Sequence, residues 1–196
     1  MTEPNVPLVD LLQTIAACTI CNDLPLGPNP VLRAASEAKI LVIGQAPGTR
    51  VHNTGIPWND PSGVRLRQWM GLTDEEFYNP AKVAIMPMGF CYPGKGKSGD
   101  LPPRVECAPQ WHERVLAHLP SIRITLLIGK YAQEHYLGKS RLTLTERVHH
   151  WRDYQPDYFP LVHPSPRNQI WLKRNAWFEQ EVIPELQEKV KKLLAD

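Results

Sequence analysis

Residues 39–44, Lys39-Ile40-Leu41-Val42-Ile43-Gly44, form a short and almost wholly apolar run closed by a glycine. A run of that length with no polar alternation predicts a strand buried on both faces, as in a parallel sheet. Comparable runs at 82–86, 124–129 and 158–162 predict three more strands. Pro160 weakens the last of these, because proline offers no N–H to a ladder. Between the runs, apolar residues recur at helical spacing over 8–17, 62–70, 109–119, 131–136 and 144–151, and a closing helix is predicted over 177–194. Strand and helix alternate, which predicts an α/β fold: a three-layer α/β/α sandwich around a central, mainly parallel four-stranded sheet. Ligands of such sheets sit beyond the C-terminal ends of the strands.

The 196 residues suit one domain, 1–196, large enough to bury a core without disulfides. No apolar run approaches the roughly 20 residues that span a bilayer, and Met1-Thr2-Glu3-Pro4-Asn5 does not begin a charged-then-apolar leader. A cytoplasmic monomer with no membrane partner is expected. A net charge of +2 permits a polyanionic partner without requiring one. The 20 prolines are about double the usual share and gather in 25–30, 102–103 and 163–166, so shaped loops are expected to carry the function.

Three such loops each follow a predicted strand. The first is Gly44-Gln45-Ala46-Pro47-Gly48, continued by Gly55-Ile56-Pro57-Trp58-Asn59-Asp60; the second spans 86–97; the third is His163-Pro164-Ser165-Pro166-Arg167-Asn168. All three are placed to converge on one pocket. The only four cysteines are Cys18 and Cys21, a Cys-x2-Cys pair, with Cys91 and Cys107. That grouping points to one tetrahedral thiolate set, for zinc or an iron-sulfur cluster, ahead of two disulfides or four unrelated buried thiols.

In these loops and cysteines the chain resembles the uracil-DNA glycosylase superfamily, most closely its iron-sulfur family 4 type. The 44–48 loop, the Gly55-to-Trp58 segment, His163-Pro164 and the four cysteines follow that type's order, while His-Pro-Ser-Pro-Arg-Asn is similar to the loop of the single-strand-selective monofunctional type. The resemblance implies a monofunctional DNA repair glycosylase that hydrolyses the N-glycosidic bond of a damaged base, above all uracil, flipped out of DNA. It implies a 4Fe-4S cluster on Cys18, Cys21, Cys91 and Cys107, with zinc as the alternative.

The resemblance also distributes roles. Trp58 would stack the base, and residues 44–48 (Gly44, Gln45, Ala46, Pro47 and Gly48) would hold base or water through backbone amides. His163 would hydrogen-bond the carbonyl oxygen of the departing base. No acid stands inside the first loop, so Asp60 is the expected water-orienting carboxylate, with His52 or Asn53 the alternative; Asp60 also suits an N-cap ahead of Pro61. Pro87-Met88-Gly89 stands where the superfamily often reads the base with an Asn, leaving Met88, a weak acceptor, and Asn168 at the pocket edge. Lys95, Lys97, Ser165 and Arg167 are expected on the DNA backbone, and Ile170 or Trp171 as the wedge that fills the gap in the stack, unless they pack a helix. The competing reading is a non-catalytic iron-sulfur module that binds lesion DNA without releasing a base.

Overall fold

The structure, a computed structural model, describes residues 6–195. In chain order it forms helix α1 (Leu8–Ala16), strand β1 (Ile40–Ile43), helices α2 (Thr49–Thr54), α3 (Pro61–Met70) and α4 (Asp74–Tyr78), and strand β2 (Val83–Ile85). A small hairpin, β3 (Lys95–Gly96) with β4 (Gly99–Asp100), leads to α5 (Cys107–Leu116), β5 (Ile124–Ile128), α6 (Lys130–Leu137) and α7 (Leu144–His149). Strand β6 (Tyr158–Leu161) and helices α8 (Gln169–Arg174) and α9 (Ile183–Ala195) follow.

The main sheet has the order β2-β1-β5-β6 and every pairing in it is parallel. The central strands β1 and β5 are buried at every position, which is why their sequences run apolar without alternation. Successive side chains still divide between two cores. Ile40, Val42, Leu126 and Ile128 join Phe159, Trp69, Phe178 and Leu186 on the side of α3 and α9. Leu41, Ile43 and Leu127 join Leu11, Ile15, Trp111 and Ala132 on the side of α1, α5 and α6. The expected three layers are therefore present.

Pro160 is accommodated because β6 lies at the sheet's edge. Thr125 and Gly129 donate to the carbonyls of Asp157 and Leu161, so the odd-numbered residues of β6 face β5 and the nitrogen of Pro160 faces away. The closing helix departs from expectation. A π turn over Phe178–Val182 precedes α9, and Pro184, which has no N–H for the preceding turn, accounts for the wider spacing there. Three short helices, α2, α4 and α8, lie outside the stretches predicted as helices. A sequence signal existed for α4: Thr73 and Glu76 form a reciprocal capping box. Another existed for α2, which ends on Gly55 at φ 66°.

Candidate active site

The three loops do converge. Beyond the C-terminal ends of β1, β2 and β6 lies a cleft of about 470 Å³ walled by residues 44–48, Pro57, Trp58, Asp60, Pro87, His163, Ser165 and Arg167. The β3–β4 hairpin closes one side with Lys95, Ser98, Gly99 and Asp100. Its size suits a nucleobase with part of a sugar, and its wall combines aromatic, imidazole and cationic groups.

Trp58 is the one non-glycine residue with positive φ among those described, at 56°. Left-handed backbone is costly for a bulky residue and persists only where the surroundings enforce it. Three neighbours do so. Buried Arg67 donates to the Trp58 carbonyl (3.2 Å) and is itself fixed by Asp74 (2.6 Å) and the Tyr78 hydroxyl (3.2 Å). Gly63 and Gly44 leave the space that the tryptophan occupies: a Cβ on Gly44 would lie 2.8 Å from its ring. Trp58 thus presents its ring beside His163, with centroids 5.8 Å apart and planes 34° from parallel.

His163 is held by its own loop. Asn168 donates its side-chain N–H to the His163 carbonyl (2.7 Å), and Ser165 Oγ accepts from the Arg167 N–H (3.2 Å). Arg65 of α3 adds a clamp from outside, donating to the Ser165 carbonyl (3.1 Å) and to Gln169 Oε1 (2.9 Å). Burial lowers the His163 pKa below its ordinary value, although the carboxylates of Asp60 and Asp100 pull it upward. The imidazole is therefore neutral at neutral pH and offers one N–H and one lone pair.

Asp60 lines the cleft, but one of its oxygens is committed: Oδ1 accepts from the Gly63 N–H (2.8 Å) as the N-cap of α3, with Pro61 at the first helical position. His52 is not part of the cleft wall; its ring faces Tyr92, 6.2 Å away. Met88 is buried away from the wall, and Asn168 serves as a brace for its loop. Lys95, Ser165 and Arg167 line the cleft, whereas Lys97 is exposed in the hairpin turn beside it. The two wedge candidates separate. Trp171 packs against Trp177 and Phe178 and donates to Thr145 Oγ1 (2.8 Å), while Ile170 is 65% exposed.

Sequence reasoning passed over Arg65, Arg67, Asp100 and His112. Of these, His112 braces the cleft from behind. Its Nε2 reaches the carbonyl of Pro87 (3.1 Å), an acceptor, so Nε2 carries the proton and Nδ1 accepts from the Tyr136 hydroxyl (2.6 Å). Burial holds the His112 pKa down to about 4, with His135 adding to the depression. The unfolded chain protonates this residue near its ordinary pKa of 6.5, the folded one only near 4. Its contribution to stability is complete above about pH 6.5 and is lost as pH falls toward 4, about 3 kcal/mol in all. Urea unfolding followed at a series of pH values across this window is expected to show that decline.

The cysteines also meet. Cys18, at the end of α1, Cys21, Cys91 and Cys107 line one small cavity with Ile20, Pro28, Pro30, Phe90 and Trp111. All four are free of disulfides. Cys107 Sγ accepts from the Phe90 N–H (3.3 Å), and Cys91 accepts from the backbone of Asn29. Burial raises the pKa of Cys21 and Cys91 and pushes Cys107 up to about 12, so charge brought by a cation is needed to hold them as thiolates. Among the described residues no group of three or more Cys, His, Asp or Glu is arranged to hold a single metal ion. One zinc with bonds of about 2.3 Å would draw its thiolates together more tightly than a cuboid cluster, which interposes an iron before each sulfur.

A parallel α/β sheet with an aromatic, imidazole-bearing cleft on its C-terminal strand ends places the chain in the class of α/β proteins whose ligands sit in that crevice. Lys95 and Arg167 make its rim cationic. The chain belongs to the uracil DNA glycosylase superfamily, whose family model matches residues 32–187. Members are generally DNA glycosylases, hydrolases of N-glycosyl bonds that act on DNA in its repair. The matched residues include Cys91 and Cys107 and leave out Cys18 and Cys21. Among the described residues no helix is long and apolar enough to cross a membrane.

Proposed function

We propose that this chain is a monofunctional DNA glycosylase that releases a deaminated or otherwise damaged base, uracil foremost, from DNA as a monomer. The observation that carries this reading is the pairing of Trp58 with His163 side by side in one cleft, each locked by its own set of neighbours. An extruded base stacks on Trp58, worth about 1–3 kcal/mol. His163 then donates to the base's carbonyl oxygen, where negative charge develops as the glycosidic bond lengthens. Residues 44–48 line the same space, and the backbone N–H groups that stretch carries outside Pro47 are left to read the base's edge, since Pro87 lacks an N–H and Met88 is not in the cleft wall. Lys95, Ser165 and Arg167 take the flanking phosphates, and exposed Ile170 fills the gap left in the stack.

Cys18, Cys21, Cys91 and Cys107 suit a 4Fe-4S cluster, which would supply a structural tie between the N-terminal segment and the loop after β2. Anaerobically purified protein is expected to be brown, with about four irons and four labile sulfides per chain, and Cys107→Ser to bleach it. Stoichiometric zinc in a colourless protein would count against the cluster.

The activity is tested by base release from single- and double-stranded oligonucleotides carrying uracil, hypoxanthine or 5-hydroxymethyluracil. Free uracil with an intact abasic strand is the expected product. Tight lesion binding with no base released would instead favour the non-catalytic module, and strand cleavage would rule out the monofunctional assignment.

A further inference from the structure

The superfamily reaction needs a water placed against the sugar carbon, and the first loop, with Gln45 and Ala46, offers no acid for it. Two carboxylates line the cleft, Asp60 and Asp100. They are not equivalent. Asp60 Oδ1 is engaged by the Gly63 N–H (2.8 Å), and that bond starts α3. The Asp100 carboxylate has neither a hydrogen bond nor an ion pair among the described residues, and it is exposed to the cleft's solvent.

Asp100 is also held in place. It ends β4, opposite Lys95 of β3, in a hairpin whose second strand starts on Gly99 at φ 141°. The Leu101 N–H donates to the Gly94 carbonyl (2.8 Å), and Gln45 Nε2 donates to the Leu101 carbonyl (3.0 Å). The side chain of the first loop thus pins the strand that carries the acid. Asp100 Oδ2 lies 3.6 Å from where a Gly48 Cβ would be, which puts the carboxylate at the end of that loop. The charged or titratable groups facing this space are His163, Asp60, Lys95 and Arg167.

We infer that Asp100, delivered by the β3–β4 hairpin, is the carboxylate that orients and deprotonates the attacking water, a role the first loop cannot fill. The inference rests on the glycosylase reading. In the step, the C1′–N bond breaks and its electron pair leaves with the base, whose carbonyl oxygen His163 stabilises. The water oxygen bonds to C1′, its proton passes to the Asp100 carboxylate and on to solvent, solvent returns a proton to the base anion, and the products are free base and a 1′-hydroxyl sugar.

The test is single-turnover release of uracil, or of whichever base of the panel the wild type releases, as a function of pH for wild type, Asp100→Asn and Asp60→Asn, with lesion-DNA affinity and melting temperature measured on each. Asp100→Asn is expected to slow release about 100- to 10,000-fold with affinity and melting temperature little changed, and to flatten the acidic limb of the profile. Asp60→Asn, whose amide oxygen still accepts from the Gly63 N–H, is expected to hold the melting temperature and keep that limb. Release by Asp100→Asn at the wild-type rate with the limb intact would overturn the Asp100 assignment alone. A wild type that releases no base would overturn the glycosylase reading and this role with it.

Discussion

His163→Ala is expected to slow base release about 100- to 1,000-fold, the usual cost of deleting one preorganised donor aimed at developing negative charge. The donor's effect comes from its fixity. The loop bearing His163 is tied internally by Asn168 and externally by Arg65, so little reorganisation is needed when charge appears. Lesion affinity should fall far less than rate, because Trp58 keeps its stacking face, braced independently by Arg67. Because burial outweighs the pull of Asp60 and Asp100, the working imidazole is neutral. Activity is therefore expected to hold from about pH 7 to about pH 9, where a required imidazolium would be lost. Single-turnover kinetics beside a lesion-DNA titration separate rate from affinity. Equal losses in both would mean that His163 merely builds the slot.

Gly63→Ala is expected to be the most damaging single-methyl change in the site. A Cβ at 63 would overlap the Trp58 carbonyl oxygen and sit 2.6 Å from its carbon and 2.9 Å from its Cβ. None of these atoms is the end of a flexible side chain, so the left-handed segment at 58 must move. Intrinsic propensity argues the other way: alanine inside a helix is better than glycine by about 1 kcal/mol. A measured loss would hence report the clash alone. We expect a destabilisation of about 3 kcal/mol, read as a fall of about 10 °C in melting temperature, with lesion affinity at least 10-fold weaker as Trp58 leaves its position. Val64→Ala, one residue along and half exposed, serves as the control and should change both quantities little.

These two residues illustrate how differently the site could be read in advance. His163 belongs to a short segment, His-Pro-Ser-Pro-Arg-Asn, whose proline spacing and position after a strand are visible locally. Gly63 carries no such mark: its requirement comes from the carbonyl of a residue five positions earlier, folded back on it by a backbone conformation that no propensity predicts. Asp60 was legible as an N-cap and as a cleft residue, and the geometry grants both. His52 lies close in sequence to the first loop, but α2 turns its ring toward Tyr92 and away from the cleft. Ile170 and Trp171 are adjacent, and only the packing of α8 decides that one ring is core and the other side chain is free.

By itself the sequence determined the α/β class, the four strands with nearly their true limits, the three loops and the grouping of the cysteines, because each rests on short-range periodicity, turn chemistry or residue type. Strand order, the edge position that tolerates Pro160, the hairpin that brings Asp100 opposite Gly48, and the arginines that lock Trp58 and the His163 loop were decided only by tertiary structure. These depend on which distant segments touch, and contacts of that range leave no periodic trace in the chain.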